Sequence, residues 1–253
     1  MDVKAMKNYL LMTATVTPPT GETILTRTDP LLRLSDYIEA FTYYLSDQIN
    51  AVDGIIFVDN SNHGLDEIRL LAKDYKGAKQ IEILSFFGLD YPIEYNRGYG
   101  ELKLMEYAFE HSKLMQSMLE TDRFWKVTGR LKVITLDKII KTAPQYFELC
   151  ADFRYRRNQV DTRLIAFNIK GYKKYIYGRL HEMPGLIIES WLFKKLVPLL
   201  GTKEGADIAT EFRVVAKFDG FAGYKSLNYM APKQKLIYFL RTVYLRTKYF
   251  FKS

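Results

Sequence analysis

Phe124-Trp125-Lys126-Val127-Thr128-Gly129-Arg130 reads as a short apolar strand running into a polar turn that closes on a fixed positive charge. Valine and the aromatics favour extended chain on a buried, pleated surface. Thr128 and Gly129 suit a turn, and Gly129, lacking a Cβ, lets backbone approach a ligand closely. Arg130 then presents a planar fork of donors at a strand end, which suits phosphate or carboxylate. The plainer alternative is an ordinary strand-to-turn junction with a surface arginine. The flanking segments bear on that choice.

Upstream, strands and helices alternate. Residues 9–16 read as a buried first strand carrying Thr13 and Thr15, followed by the loop Thr17-Pro18-Pro19-Thr20-Gly21. Open α/β sheets bind ligands at such carboxyl-end loops. Leu34, Ile38, Phe41 and Leu45 predict a helix over 34–49, starting near Ser35-Asp36. The apolar run 54–58 reads as a strand covered on both faces, ending in Asp59-Asn60-Ser61-Asn62. A helix over 65–73 and a third strand over 80–87 follow. Asn96-Arg97-Gly98-Tyr99-Gly100-Glu101 then opens a helix running to about 119.

Downstream, 132–142 reads as a strand–helix piece and 152–163 is dense in arginine (Arg154, Arg156, Arg157, Arg163). A strand over 164–169, a short helix over 172–177, a loop at 181–185, a helix over 186–200, a strand over 212–217 and a turn at 219–224 complete the body. From Pro232 the chain reads as a basic aromatic helix. The economical organisation is one α/β domain, 1–230, with a C-terminal appendage, 231–253.

Of 253 residues, 48% are hydrophobic and 26% charged, a globular balance that argues against disorder. The formal charge is +8, and Lys233, Lys235, Arg241, Arg246, Lys248 and Lys252 are answered by no acid between 233 and 253. That bias points to an anionic partner. A single cysteine, Cys150, rules out an internal disulfide and is compatible with a reducing compartment. There is no signal-peptide core and no run of ~20 apolar residues. A cytoplasmic protein attached to a membrane surface is the expectation.

Asp59, at the end of a buried strand, is placed to accept hydrogen bonds from a ribose or base; alternatively Asp59-Asn60-Ser61 caps the next helix. The glycines after Asn96 and Arg97 offer backbone amides and a positive helix end to an anion, although a plain turn has the same composition. Glu182 and Glu189 flank the Pro184-Gly185 turn, and either could take a proton from an acceptor hydroxyl. His63, His111 and His181 lack metal-ligand spacing, and Asp-x-Asp is absent, as are hydrolase nucleophile motifs. The tail interleaves apolar, aromatic and basic residues. It suits a helix lying in a membrane interface, with nucleic-acid binding or core docking as rival readings.

In this order, Thr13-Ala14-Thr15, Val58-Asp59-Asn60-Ser61, Asn96 to Glu101 and Lys126 to Arg130 resemble a GT-A-type glycosyltransferase of bacterial surface-polysaccharide assembly. The resemblance implies a Rossmann-type open twisted sheet flanked by helices, with a C-terminal basic amphipathic helix. It also implies a nucleotide-sugar donor held by Thr13, Thr15, Asp59, Asn60, Asn96, Arg97, Gly98, Lys126, Thr128 and Gly129. Thr128-Gly129-Arg130 stands where the family usually has its metal-holding Asp-x-Asp, as in a Thr-Gly-Arg subgroup among lipopolysaccharide, O-antigen and capsule transferases. No cofactor is then expected, a divalent metal is left open, and Arg130, helped by Lys126 or Arg97, would neutralise the leaving diphosphate. The acceptor would be lipid-linked or a growing glycan, at the inner face of the cell membrane. A nucleotidyltransferase on a related sheet and a non-catalytic membrane or nucleic-acid adaptor are the alternatives.

Overall fold

A computed structural model describes residues 5–19, 26–223 and 228–250. Thr20, Gly21, Tyr224, Phe251 and Lys252, which figure in the expectations above, lie outside the described residues. Four apolar runs form the parallel strands β1 (Asn8–Ala14), β2 (Gly54–Asp59), β3 (Gln80–Ser85) and β4 (Arg123–Thr128), in the order β3-β2-β1-β4. They are continuous in sequence because helices cover both faces of the sheet. One face packs against α1 (Pro30–Leu45), α2 (Asp66–Asp74) and α5 (Leu136–Thr142). The other packs against α3 (Asn96–His111), the one-turn α4 (Lys113–Gln116), α6 (Ile169–Tyr175) and α7 (Ile188–Leu196). The expected α/β sheet flanked by helices is present.

Beyond β4 the sheet turns antiparallel. The strand β7 (Gln159–Asn168) pairs with β4, then with β6 (Leu149–Arg154), which meets the two-residue β8 (Ile208–Ala209). The arginine-dense stretch is the β6–β7 hairpin, turned through Asn158 at φ 51°. Sequence periodicity misses β6 and starts β7 late because charges interrupt the alternation. In three dimensions Asp161 absorbs two of them, accepting from Arg163 Nη2 at 2.6 Å and also from Arg154.

Other boundaries move for local reasons. Helix α1 begins at Pro30 because Asp29 Oδ1 accepts from Leu31 N at 2.8 Å, making Asp29 the cap in place of Ser35-Asp36. The helix expected to reach 119 breaks at Ser112, whose hydroxyl donates to Glu82 at 2.5 Å and accepts from Met115 N at 3.1 Å to start α4. Pro198 follows α7 closely, and the expected 186–200 helix ends at Leu196 in a 3₁₀ turn. The expected strand at 212–217 is irregular chain, with Phe212 N bound to Asp152 and Lys217 N bound to Thr135 Oγ1. Strand pairing resumes only where β9 (Phe218–Asp219) meets β5 (Lys132–Val133).

The last helix, α8 (Pro232–Phe250), docks through Tyr238 and Leu245 onto Val215. Arg241 donates to Asp152 at 2.9 Å, and Lys248 and Tyr249 both bind Glu211. No helix among the described residues is long and apolar enough to cross a membrane.

Candidate active site

The chain leaves β1 toward β2 on one side and reaches β4 on the other. The carboxyl ends of β1 and β4 therefore border a topological switch point, where open α/β sheets form a ligand crevice. Thr13 faces Thr128 in register there, and Gly129 N donates to the Thr13 carbonyl at 2.9 Å. A Cβ on Gly129 would meet that carbonyl oxygen at 2.8 Å. Glycine is required so that two strand ends can close on each other, a different role from the ligand approach read in sequence.

Loop closure after β1 also consumes Asp59. It is fully buried, and its carboxylate accepts from Val16 N and Ser61 N, each at 2.9 Å, and from the Ser61 hydroxyl. Burial raises its pKa against those hydrogen bonds. Asp59 thus clamps the two loops together and has no face open to a nucleoside. Its neighbour Asn60 accepts from the Thr15 hydroxyl at 2.7 Å, while its amide nitrogen is buried with no partner. The buried Ser85 hydroxyl, at the end of β3, is likewise unpartnered. Such groups in a native interior call for a ligand, a water or an explanation.

Two residues of α1 belong to this crevice: Arg33, which lies before the start expected for this helix, and Tyr37, which sequence patterning absorbs into an amphipathic face. Arg33 is buried and donates to the Thr15 carbonyl through Nε at 2.8 Å and Nη2 at 2.5 Å. The Tyr37 hydroxyl accepts from Thr15 N at 3.0 Å and from Arg33 at 3.3 Å. Arg130 packs beside both. Burial and the Arg33 charge lower its pKa, while the Tyr37 and Tyr229 hydroxyls pull it up, and its Nε donates to the Phe221 carbonyl at 3.1 Å. Neither Arg33 nor Arg130 has a carboxylate partner among the described residues. Two guanidiniums held within electrostatic reach with no counter-ion form a site for a multiply charged anion.

The other predicted residues are distributed differently. Lys126 points to the opposite face of the sheet, buried between Glu101 and the Thr162 carbonyl, which it reaches at 2.8 Å. Its ammonium has protein partners and does not face the crevice. Asn96 adopts φ 58° and caps its own helix, accepting from Gly98 N at 2.9 Å. A Cβ on Gly98 would meet the 186–188 backbone at 3.0 Å, so this glycine admits the approach to α7. Arg97 is exposed on the first turn of α3.

The two glutamates separate sharply. Glu182 accepts from Lys195 at 2.9 Å, Arg179 at 2.9 Å and Trp191 Nε1 at 3.1 Å. Burial would raise its pKa, but those donors pull it down to about 2. A carboxylate held that firmly is a poor proton acceptor near neutrality. Glu189 on α7 is half-buried, and its pKa is raised by burial and then by the nearby Glu101 charge, with Lys126 opposing. That environment tunes a carboxylate toward general-base work. Among the described residues, no group of three or more His, Cys, Asp or Glu side chains is arranged to hold a metal. A cavity of about 350 Å³, lined by Phe109, Met115 and Ile169 among others, lies by the start of β4 and far from this chemistry.

No protein-family model and no curated sequence matches the chain. Among solved structures, it is similar to a 4-diphosphocytidyl-2C-methyl-D-erythritol synthase at 12% identity and TM-score 0.45, covering 93% of this chain and 99% of that one. It is similar to a cytidylyltransferase from Leptospira borgpetersenii at 12% and 0.41, covering 71% and 68%. It is also similar to core-mannan synthase A from Aspergillus fumigatus, in a Mn/GDP form, at 9% and 0.44, covering 82% and 73%. At such identities and scores, what this chain does has to be read from its own residues.

Proposed function

We propose that the chain is a glycosyltransferase moving a sugar from a nucleotide-sugar donor to a lipid-linked or growing surface-glycan acceptor. The observation that carries the reading is the Arg33–Tyr37–Arg130 cluster, two guanidiniums without an acid partner among the described residues, at the carboxyl ends of β1 and β4. A nucleoside diphosphate supplies the charge such a cluster lacks. As the acceptor hydroxyl attacks the anomeric carbon and the bond to the diphosphate breaks, negative charge grows on the leaving group. Fixed donors aimed at that charge lower the barrier. Glu189, beside Glu101 and Lys126 on the other side of β4, takes the proton of an acceptor hydroxyl that enters the carboxyl edge of the sheet from the α7 side. Thr15 and the unpartnered Asn60 amide face the nucleoside, with Asp59 holding the loop that presents them. Arg97 is a further phosphate contact from α3. A cation at Arg130, where the related enzymes hold a divalent metal, disfavours a second positive charge there, so the reading needs no metal. The basic helix α8 keeps the enzyme at the membrane surface that carries its acceptor.

The test is thermal stabilisation by UDP, GDP, CMP and dTDP, each with Mn²⁺ or with EDTA. A ligand at ~100 times its dissociation constant adds ~2.7 kcal/mol. A shift with one nucleotide that survives EDTA and disappears in Arg130→Ala is the expected result. No shift with any of the four overturns the donor site. The same cluster would accept a nucleoside triphosphate, so a nucleotidyltransferase is the second reading. Diphosphate release from a nucleoside triphosphate plus a sugar 1-phosphate identifies it.

A further inference from the structure

The β6–β7 hairpin carries exposed cations that the proposed chemistry leaves unused. Arg154 and Arg163 are both paired with Asp161, whereas Arg156 and Arg157, at the tip, are exposed and have no hydrogen-bond or ionic partner among the described residues. Tyr155 beside them is exposed and packs edge-on against Phe193. Leu164 of β7 faces Val127 of β4, and β7 continues outward from there to Gln159. At 3.3 Å per residue the tip stands roughly 17 Å past Val127, on the side of the sheet edge that bears Arg130.

The C-terminal half of α8 lies beside this hairpin. Arg241 is tied to Asp152 on β6 at 2.9 Å, and Lys248 is close enough to Tyr155 for the two to interact electrostatically. Over 232–249 only Tyr238 and Leu245 of the helix are buried. Leu236, Ile237, Phe239, Leu240, Val243 and Tyr244 all face outward, with Phe239 62% exposed. With 3.6 residues per turn they form one arc over 236–244, ended by Lys233 at the first turn and Thr247 near the last, and bordered by Lys235 and Arg246 along one edge and by Arg241 and Lys248 along the other. Arg241 and Lys248 are paired with Asp152 and Glu211, and an apolar strip with the cations Lys235 and Arg246 along its other edge is the pattern of a helix seated at the level of lipid headgroups. The helix contains no acidic residue, so a second copy meeting it face to face would set like charges together.

We infer that the hairpin tip, through Arg156 and Arg157, and the outward face of α8 form a single surface that binds a bilayer containing anionic lipid headgroups. Docking by this surface brings the Arg130 edge of the sheet toward the bilayer, where a lipid-linked acceptor would lie. The inference rests on the α8 reading above, but vesicle binding needs no catalysis, and its failure leaves nucleotide binding intact and separately measurable.

The experiment is co-sedimentation of the full chain with vesicles of phosphatidylcholine alone or with phosphatidylglycerol. Wild type is expected to bind only the anionic vesicles, less tightly as salt rises. Arg156→Ser/Arg157→Ser is expected to weaken that binding on the order of 30-fold, at roughly fivefold per basic residue, with an unchanged melting temperature. Phe239→Ser/Leu240→Ser is expected to weaken it independently. Wild-type affinity in the arginine variant removes the hairpin from the surface. Equal binding to neutral and anionic vesicles overturns the headgroup assignment, as does binding to an oligonucleotide with none to either vesicle.

Discussion

Two arginine clusters lie on this sheet, and their difference separates scaffolding from site. At the β6–β7 hairpin, Arg154 and Arg163 converge on one buried carboxylate. Burial pushes the Asp161 pKa up, and the two guanidiniums overrule it and bring the pKa well below the ordinary range. Arg163 is also stacked between Phe218 and Tyr229, 4.2 Å and 4.8 Å from their ring centres. Each guanidinium there has an acidic partner in Asp161, and in that sense the cluster is complete. At the β1–β4 edge, Arg33 and Arg130 sit near each other and, among the described residues, bind only carbonyl and hydroxyl oxygens. A complete cluster stabilises a fold, and an incomplete one waits for an anion.

The sharpest way to break that comparison is to remove the acid from the complete cluster. Asp161→Ala leaves two guanidiniums facing each other in a buried place and is expected to cost about 3–5 kcal/mol of stability, read by urea denaturation. If it costs under 1 kcal/mol, the hairpin cluster is not structural in the sense used here. Next is Glu189→Gln, expected to lower kcat by about 10²–10⁴ with an unchanged melting temperature. Because the Glu189 pKa is raised in the fold, wild-type activity should climb with pH through a value above the ordinary 4.5, and the variant should lose that limb.

Arg130→Ala tests the incomplete cluster. A fall of about 10²–10³ in kcat, with stability held or slightly improved because one like charge has gone, is the expected pair of readings. Loss of folding without nucleotide, instead, would make Arg130 part of the scaffold. The smallest effect belongs to Glu182. Its folded pKa is depressed from 4.5 to about 2, so the stability it adds is present above pH 4.5 and lost as pH falls toward 2. Its partly exposed partners limit that contribution to about 1 kcal/mol. An acid titration of stability should show this component in wild type and lack it in Glu182→Gln.

Much of the first half was legible before any coordinates. Strands covered on both faces are unbroken apolar runs, and Gly54 to Asp59 could be little else. The polar turns at their ends were legible for the same reason, as abrupt stops in those runs. What periodicity hid was Arg33 and Tyr37. They lie on the stripe that carries Leu34, Ala40, Phe41 and Tyr44 into the core, and a pattern of spacing does not distinguish a residue that packs from one that reaches past the sheet edge. The buried state of Asp59 was hidden too, since its partner Val16 lies on another strand's loop.

Sequence alone determined the parallel half of the sheet, the polar loops at its carboxyl edge and the run of basic residues in the last helix. Local composition and period carry that information directly. Tertiary structure decided which charges are spent and which remain. Lys126 was spent on Glu101, Glu182 on Lys195, and Arg163 on Asp161, while Arg33 and Arg130 were left within electrostatic reach of each other with no carboxylate partner among the described residues. The physical reason is that charge pairing depends on separation and burial in space, and neither is written in the order of the residues.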